Sequence, residues 1–455
     1  MESGNHEYKV NQFLRLSALT LLVIYSVVET QYRVITPFEI IQYPVPRIPY
    51  FPYFSISFVS FGWYPVFLET FFYCSMLFLF MFPNKKWARA AAFTAITTRL
   101  LSSHLGTGVH LTTFYLVPIF LAWASSGEDD AAYDKLRRRI VTALACMYFF
   151  SAVLKLNAHY LSGDVLRWDS IIRYSTKAFL SENGLFPLIV WSGLILELIG
   201  SLLFVGRLRR IALISIMTFH FAVTLSITWS FRLQVSGASL LLLFLNQTRA
   251  RKYFNLVALT LAFHAISQYL LYLGAMKWFP AFINQQLQDT HGIVFATVLY
   301  ILSISFILTQ EIDSKTVWSR GAALVCAVYA LCAVAFSWPE PFGYTQYSGL
   351  ARNYYGVSVD DKWRQETKPF DILRGRWSFR LIPDLFENET TYLFTFKSSQ
   401  KKLVDFICER DPTANYTLIH SDRPLNIEPS DPNRSKAFES FLKSRKKMAC
   451  TPDRH

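Results

Sequence analysis

Apolar residues in this chain come in blocks about 20 residues long, separated by short polar connectors, which is the spacing of membrane-crossing helices rather than of strands or of a one-sided soluble helix. The blocks lie near 12–30, 65–83, 88–104, 110–126, 139–156, 185–206, 210–230, 233–247, 253–274, 290–311 and 320–337. Each predicts one helix, so the expected fold class is an all-α polytopic transmembrane bundle of about nine to eleven spans. The start of the chain lacks the basic stretch and small-residue cleavage site of a removable signal, so the first block is expected to stay as an uncleaved anchor.

The connectors orient the blocks. NKKWAR (84–89), KLRRR (135–139), RLRR (207–210), TRARK (248–252) and QEIDSKTVWSR (310–320) all fall on one side if the spans alternate, and basic residues are retained on the cytoplasmic side. The N-terminus is then cytoplasmic, and everything after 337 lies outside or in a lumen, in an endoplasmic-reticulum-type membrane if the cell is eukaryotic. Residues 338–455 are polar with short strand-like runs such as TTYLFTF, which predicts a small extracytoplasmic α+β tail. The expected division is a membrane domain at 1–250, additional transmembrane helices at 251–337 and the tail at 338–455. On that side the sequons at Asn388, Asn415 and Asn433 are glycosylation candidates, whereas Asn246 is expected to stay bare. Cys408 and Cys450 share the oxidising side; either they pair, closing a loop worth roughly 4 kcal/mol, or they are two unrelated thiols.

Two outer connectors are too apolar to float in water. QYPVPRIPYFPYFSISFVSFGWYP is broken by proline and is expected to lie on the membrane surface or fold over the bundle. GDVLRWDSIIRYSTKAFLSENG reads as an amphipathic interfacial helix with Asp164 as N-cap and Gly184 as stop.

Composition agrees with a membrane protein: 52% of residues are hydrophobic and 17% charged. The formal charge of +13 resides in the connectors, so no nucleic-acid partner is expected and membrane lipid is. Six cysteines without CxxC spacing, and histidines without HxxxH or HExxH spacing, give no metal site; Ser-His-Asp and phosphate-loop patterns are absent as well.

Against this apolar background a few polar residues stand out in the outer half. Lys155 closes the fifth block in FFSAVLKLNAHYLSGD, followed by Asn157 and His159; Arg99, His104 and His110 flank the neighbouring outer turn. Glu197 lies about halfway down the sixth block and His220 near the middle of the seventh, within reach of it; Arg232 starts the eighth from outside. A buried carboxylate costs a few kcal/mol, so Glu197 must pair, hold a proton or face the bundle interior. Two readings are open. Lys155 either snorkels to the interface and complements its helix dipole, or lines an outward-facing polar pocket with these groups; Glu197 either locks helix packing or serves function. In a pocket, desolvation and nearby cations would lower the amine's proton affinity until it could take a proton from a lipid-soluble phenol or hydroquinone.

The segment YFFSAVLKLNAHYLSG resembles the part of vitamin K-dependent γ-glutamyl carboxylase in which an Ala-Gly-Val-Lys-Lys-Leu-Asp-Ala-Asp-Trp-Val-Glu-Gly run carries the catalytic lysine just before the leucine; Lys155 occupies that place. The likeness continues through VWSGLILELIGSLLF, where Glu197 stands for a family aspartate, and through Phe219-His220, over roughly residues 10–250 of the domain often called HTTM. The resemblance implies Lys155 as the base that deprotonates a reduced quinone of the vitamin K hydroquinone type, His110 as a match for the histidine that supports the carbanion step, and a protein substrate. The tail is shorter than the large lumenal region with which the carboxylase grips its substrate, so propeptide-tagged proteins are not expected here. The alternative is a non-catalytic membrane scaffold, assembly factor or transporter that keeps the fold.

Overall fold

The computed structural model describes residues 5–31, 64–102, 109–125, 127, 129–161, 179–180, 183–226, 231–278, 281–335, 354–360, 379–386, 389–394, 397–421 and 442–450. Each of the eleven apolar blocks contains a helix: α1 (Asn5–Gln31), α2 (Tyr64–Met81), α3 (Lys86–Ser102), α4 (Val109–Ala124), α5 (Asp130–Leu154), α7 (Phe186–Gly200), α8 (Arg209–Ser226), α9 (Phe231–Leu241), α10 (Gln247–Trp278), α11 (Ala281–Thr309) and α12 (Arg320–Ala335). A single turn, α6 (Ala158–Leu161), follows α5. Among the described residues three stretches are long and apolar enough to cross a membrane: Phe186–Phe204, Gly206–Leu225 and Thr290–Thr309.

Local chemistry sets several boundaries. Asp129 caps α5 by accepting the Ala132 N–H at 3.1 Å, and Asn246 caps α10 by accepting the Arg249 N–H at 3.0 Å. Gly184 has a left-handed φ of 63°, and Leu185 N–H reaches back to the Leu180 carbonyl at 2.9 Å, the hydrogen bond of a helix stop. The rest of the amphipathic segment before Gly184 and the proline-rich outer connector lie outside the described residues. The sixth block is not one α-helix: α7 tightens into a 3₁₀ turn at Ser201–Phe204 and breaks at Gly206. The eighth is shortened, with α9 giving way at Leu241 to buried turns through Leu245.

One apolar core joins α1 to α5 and α8 to α11, with Phe13, Phe72, Tyr115, Leu144, Met217 and Leu261 among its members. It takes in residues on both sides of position 250, so the helices before and after that position share it. Outside this core, Leu259, Phe263, Ile266, Leu324, Val325 and Leu331 are exposed, an apolar exterior suited to lipid.

The basic connectors meet at one end of the bundle. Arg137 on α5 donates to Asp313 at 2.8 Å and to Asp134 at 3.1 Å, and Arg138 pairs with Asp134 at 2.7 Å. Arg209 donates to the carbonyls of Leu203, Asp313 and Lys315, and its guanidinium lies 4.5 Å from the Phe244 ring centre. Arg89 donates to the carbonyls of Pro83 and Ala122 and to the Tyr133 hydroxyl. His6 N–H donates to Asp130, which fixes the start of α1 there. Gly206 fits against this clamp because it has no side chain: a Cβ would overlap the Ser314 carbonyl.

The tail has its own core. Five antiparallel strands, β1 (Tyr354–Asp360), β2 (Phe379–Phe386), β3 (Glu389–Phe394), β4 (Asn415–Ser421) and β5 (Leu442–Ala449), are ordered β2-β3-β1-β4-β5, and α13 (Lys397–Arg410) packs on them. Val357, Val359, Leu403, Ile407 and Ala414 form the core, and Gln400 donates to the Gly356 carbonyl at 2.6 Å. Cys408 and Cys450 form a disulfide joining the end of α13 to the end of β5. Asn415 is exposed at the first position of β4, while Asn388 and Asn433 lie outside the described residues.

Two predictions follow from the clamp. Replacing Gly206 with Ala forces the Ser314 segment away and is expected to cost about 1–3 kcal/mol, read as a lowered midpoint of thermal unfolding in detergent. Burial pushes the Asp134 and Asp313 carboxyls up, but hydrogen bonds from Arg138 and Arg137 to Asp134, and from Lys315 N–H and Arg137 to Asp313, outweigh it and hold both below their usual range. Both carboxyls titrate lower folded than unfolded, so the clamp contributes fully above about pH 4 and is lost as pH falls through the folded values. Melting temperatures recorded from pH 6 down to pH 3 should drop less in Asp313→Asn than in the parent chain.

Candidate functional site

The end of α5 is built around Lys155. It is the C-cap residue, in a right-handed α conformation, and its N–H bonds back to the Ala152 carbonyl at 3.1 Å. Asn157 then joins two elements: its Nδ2 donates to the Leu154 carbonyl at 3.0 Å, and its Oδ1 accepts the Tyr160 N–H at 3.1 Å, capping α6. That turn brings the Tyr160 ring to 5.6 Å from Lys155 Nζ.

Lys155 does not snorkel. It is 4% exposed, and Nζ donates to both carboxylate oxygens of Glu197, at 2.6 Å and 2.7 Å. Glu197 is equally buried and also accepts from the Ser151 hydroxyl at 3.2 Å. Ser151 and Lys155 are one helical turn apart, so both reach the same carboxylate from one face of α5. The Phe219 ring, 5.7 Å from Nζ, and Tyr160 supply aromatic faces to the ammonium. Glu197 therefore pairs with Lys155 and not with His220 or an arginine.

The register of α5 on α7 sets the depth. Ser151 lies opposite Glu197 and Tyr148 opposite Gly200, so the helices are antiparallel and α5 ends about two turns short of the start of α7. Lys155 thus sits below the rim expected from its place at the end of a block. Deeper on the same face, Tyr148 OH and His220 Nε2 are 3.2 Å apart, and both residues are buried. Gly237 on α9 makes room for this histidine: a Cβ there would stand 2.9 Å from His220 Nδ1.

Of the residues singled out in the sequence, Lys155 and Glu197 are in direct contact, Asn157 is the connector and His220 lies one layer deeper through Tyr148. Arg99, His110, His159 and Arg232 fall in α3, α4, α6 and α9, but their side chains lie outside the description, as does the whole of His104. Ser151 and Tyr148 were not foreseen, and Tyr160 and Phe219 were named only within the segments that carry the resemblance; the serine one turn before the lysine was the available signal. Among the described residues no group of three His, Cys, Asp or Glu side chains is placed to hold a metal.

The cluster sets an amine against a carboxylate where water hardly reaches. Removing either partner strands a buried charge, whereas replacing both with apolar groups does not. Lys155→Met and Glu197→Leu are each expected to destabilise the bundle by about 3–5 kcal/mol. The double variant should melt close to the parent, which thermal unfolding in detergent would measure. No protein-family model, curated protein or solved structure matches this chain.

Proposed function

We propose that the chain is a multi-pass integral membrane protein of the carboxylase-like type in which the Lys155–Glu197 pair takes a proton from a lipid-soluble quinol or a similar weakly acidic hydrophobic substrate. The observation that carries this reading is the two-pronged Lys155–Glu197 contact, held out of water beside Tyr160 and Phe219. The resemblance of the lysine segment to the carboxylase family supports it independently.

The step balances within the pair. Lys155 passes its proton to Glu197, which becomes a carboxylic acid; the neutral amine then accepts the O–H proton of the quinol. The products are an ammonium and a quinolate that pair with each other, and the aromatic rings beside Nζ offer faces for the quinol ring to stack on. A reduced quinone of the vitamin K hydroquinone type is the cofactor or substrate that fits this chemistry, delivered from membrane lipid, with a protein as the acceptor of the resulting reactivity.

On this reading the reaction lies on the non-cytoplasmic side. The end of the bundle that gathers Arg89, Arg137 and Arg209 is the cytoplasmic one by the distribution of basic residues. Lys155 ends the opposite half of α5. The Cys408–Cys450 disulfide supports a tail in the oxidising lumenal or extracytoplasmic space, where Asn415 is open to glycosylation.

The double variant K155M/E197L separates this reading from a scaffold, because it removes the proton acceptor while keeping the fold. The parent in lipid nanodiscs, titrated without oxygen with 2,3-dimethyl-1,4-naphthohydroquinone, should develop quinolate absorbance that saturates at one per chain. The double variant should lose it by a factor of about 100. Equal quinolate formation by a folded double variant would rule the proposal out. The saturation of Glu197 by Lys155 and Ser151 favours the scaffold as the second reading, in which the double variant keeps all biological activity.

A further inference from the structure

A second polar cluster lies in the hairpin of α10 and α11, on elements that do not form the Lys155 site. His264 and His291 stack with ring centres 4.8 Å apart and planes 25° apart. Phe295 sits against both, 5.1 Å from His264 and 4.7 Å from His291. Ser267 Oγ lies 2.6 Å from His291 Nε2 and 2.6 Å from the Phe263 carbonyl. Gln268, 4% exposed, is one turn beyond His264 on the same face of α10.

The hydrogen bonds assign the protons. A carbonyl can only accept, so the Ser267 hydroxyl donates to Phe263; its contact with His291 is a hydrogen bond only if the imidazole donates from Nε2. The neutral His291 ring therefore carries a lone pair on Nδ1. That atom is buried without a partner among the described residues, and so is Gln268 Oε1. A buried acceptor without a donor is costly to leave empty, so His291 Nδ1 asks for an O–H or N–H from something not in the chain, and the Gln268 amide can turn either end toward the same group.

Where they sit says what brings it. His291 is at the edge of the membrane-crossing stretch Thr290–Thr309, where the apolar exterior begins. On the same two helices Phe263 is 65% exposed, Ile266 and Leu270 61%, and Val294 53%. A ligand arriving sideways from lipid would lay an apolar body along this surface and turn its polar end inward. A neutral hydroxyl can donate to these atoms without the cost of carrying a charge into hydrocarbon that an ammonium or a metal cation would bear.

We propose that His291 and Gln268 form a binding site for the hydroxyl of a membrane-dissolved amphiphile, a sterol or a phenol, with His264 and Phe295 as its packing walls. His291 Nδ1 accepts the hydroxyl proton, the Gln268 amide turns its Nε2 to donate to the hydroxyl oxygen, and Ser267 is a positioning residue that holds the His291 tautomer.

The test uses the full chain in phosphatidylcholine nanodiscs with two tritiated probes, cholesterol and α-tocopherol, and with the methyl ether of each as competitor. One of the probes should bind saturably at one site per chain, and which one identifies the source of the hydroxyl. Its methyl ether should compete poorly. H291F, which keeps a stacked ring, and Q268L should each weaken binding about fivefold, the worth of one hydrogen bond. Both variants should also melt at a higher temperature than the parent without ligand, because each removes an unsatisfied buried acceptor. Binding should persist in K155M/E197L, which keeps this site separate from the proton-accepting pair. Absence of saturable binding by both probes, equal competition by the methyl ethers, or parent-like affinity in folded H291F and Q268L would each overturn the proposal.

Discussion

A carboxylate cannot stay ionised inside an apolar bundle unless a cation is brought to it, and Glu197 meets that requirement through Lys155 alone among the charged groups described around it. Much of the local architecture serves this contact. The chain leaves α5 early enough for the lysine to descend to the depth of Glu197, Asn157 fastens the turn, and Ser151 supplies the third hydrogen bond to the carboxylate. Two aromatic rings from α6 and α8 close over the ammonium in place of water.

The opposite end of the bundle solves the reverse problem, cations that need acceptors. Arg89 and Arg209 spend most of their donors on backbone carbonyls that helix ends and tight turns leave without partners, so each arginine completes the hydrogen bonding of several elements at once. Arg137 adds a true ion pair to Asp313 and so ties the 310–319 segment to α5. One end is held by carbonyl-bound guanidinium groups, and the other half contains, among the described residues, a single closed pair.

The sequence made the helices legible and their contacts much less so. Every apolar block holds a helix because a long apolar run that is shielded from water satisfies its backbone polar groups most readily within the segment itself. Which residues face each other depends on rotation about the helix axis, and a segment such as WSGLILELIGSLLF is apolar nearly all round, so it carries little record of its phase. That is why Lys155 and Glu197 could be singled out separately while their pairing, 42 positions apart, could not. His220 was placed beside Glu197 on depth, but its ring nitrogen meets Tyr148, a residue indistinguishable in sequence from the other aromatics of its helix. The buried arginines were read only as orientation signals, because a connector's charges carry no record in sequence of the carbonyls that Arg89 and Arg209 serve in the fold. The His264–His291 hairpin gave no warning because its two rings come from different helices with no motif linking them.

The strand order of the tail has a consequence for how that part is assembled. β1 lies at the middle of the sheet yet is the first of the five to be synthesised. Until β3 and β4 are made, both its edges present unpaired peptide groups, and the apolar Val357 and Val359 have no α13 to cover them. Assembly therefore proceeds outward from a centre that must wait, and the sulfur bridge between Cys408 and Cys450 comes last, as a latch on an order of events rather than its cause.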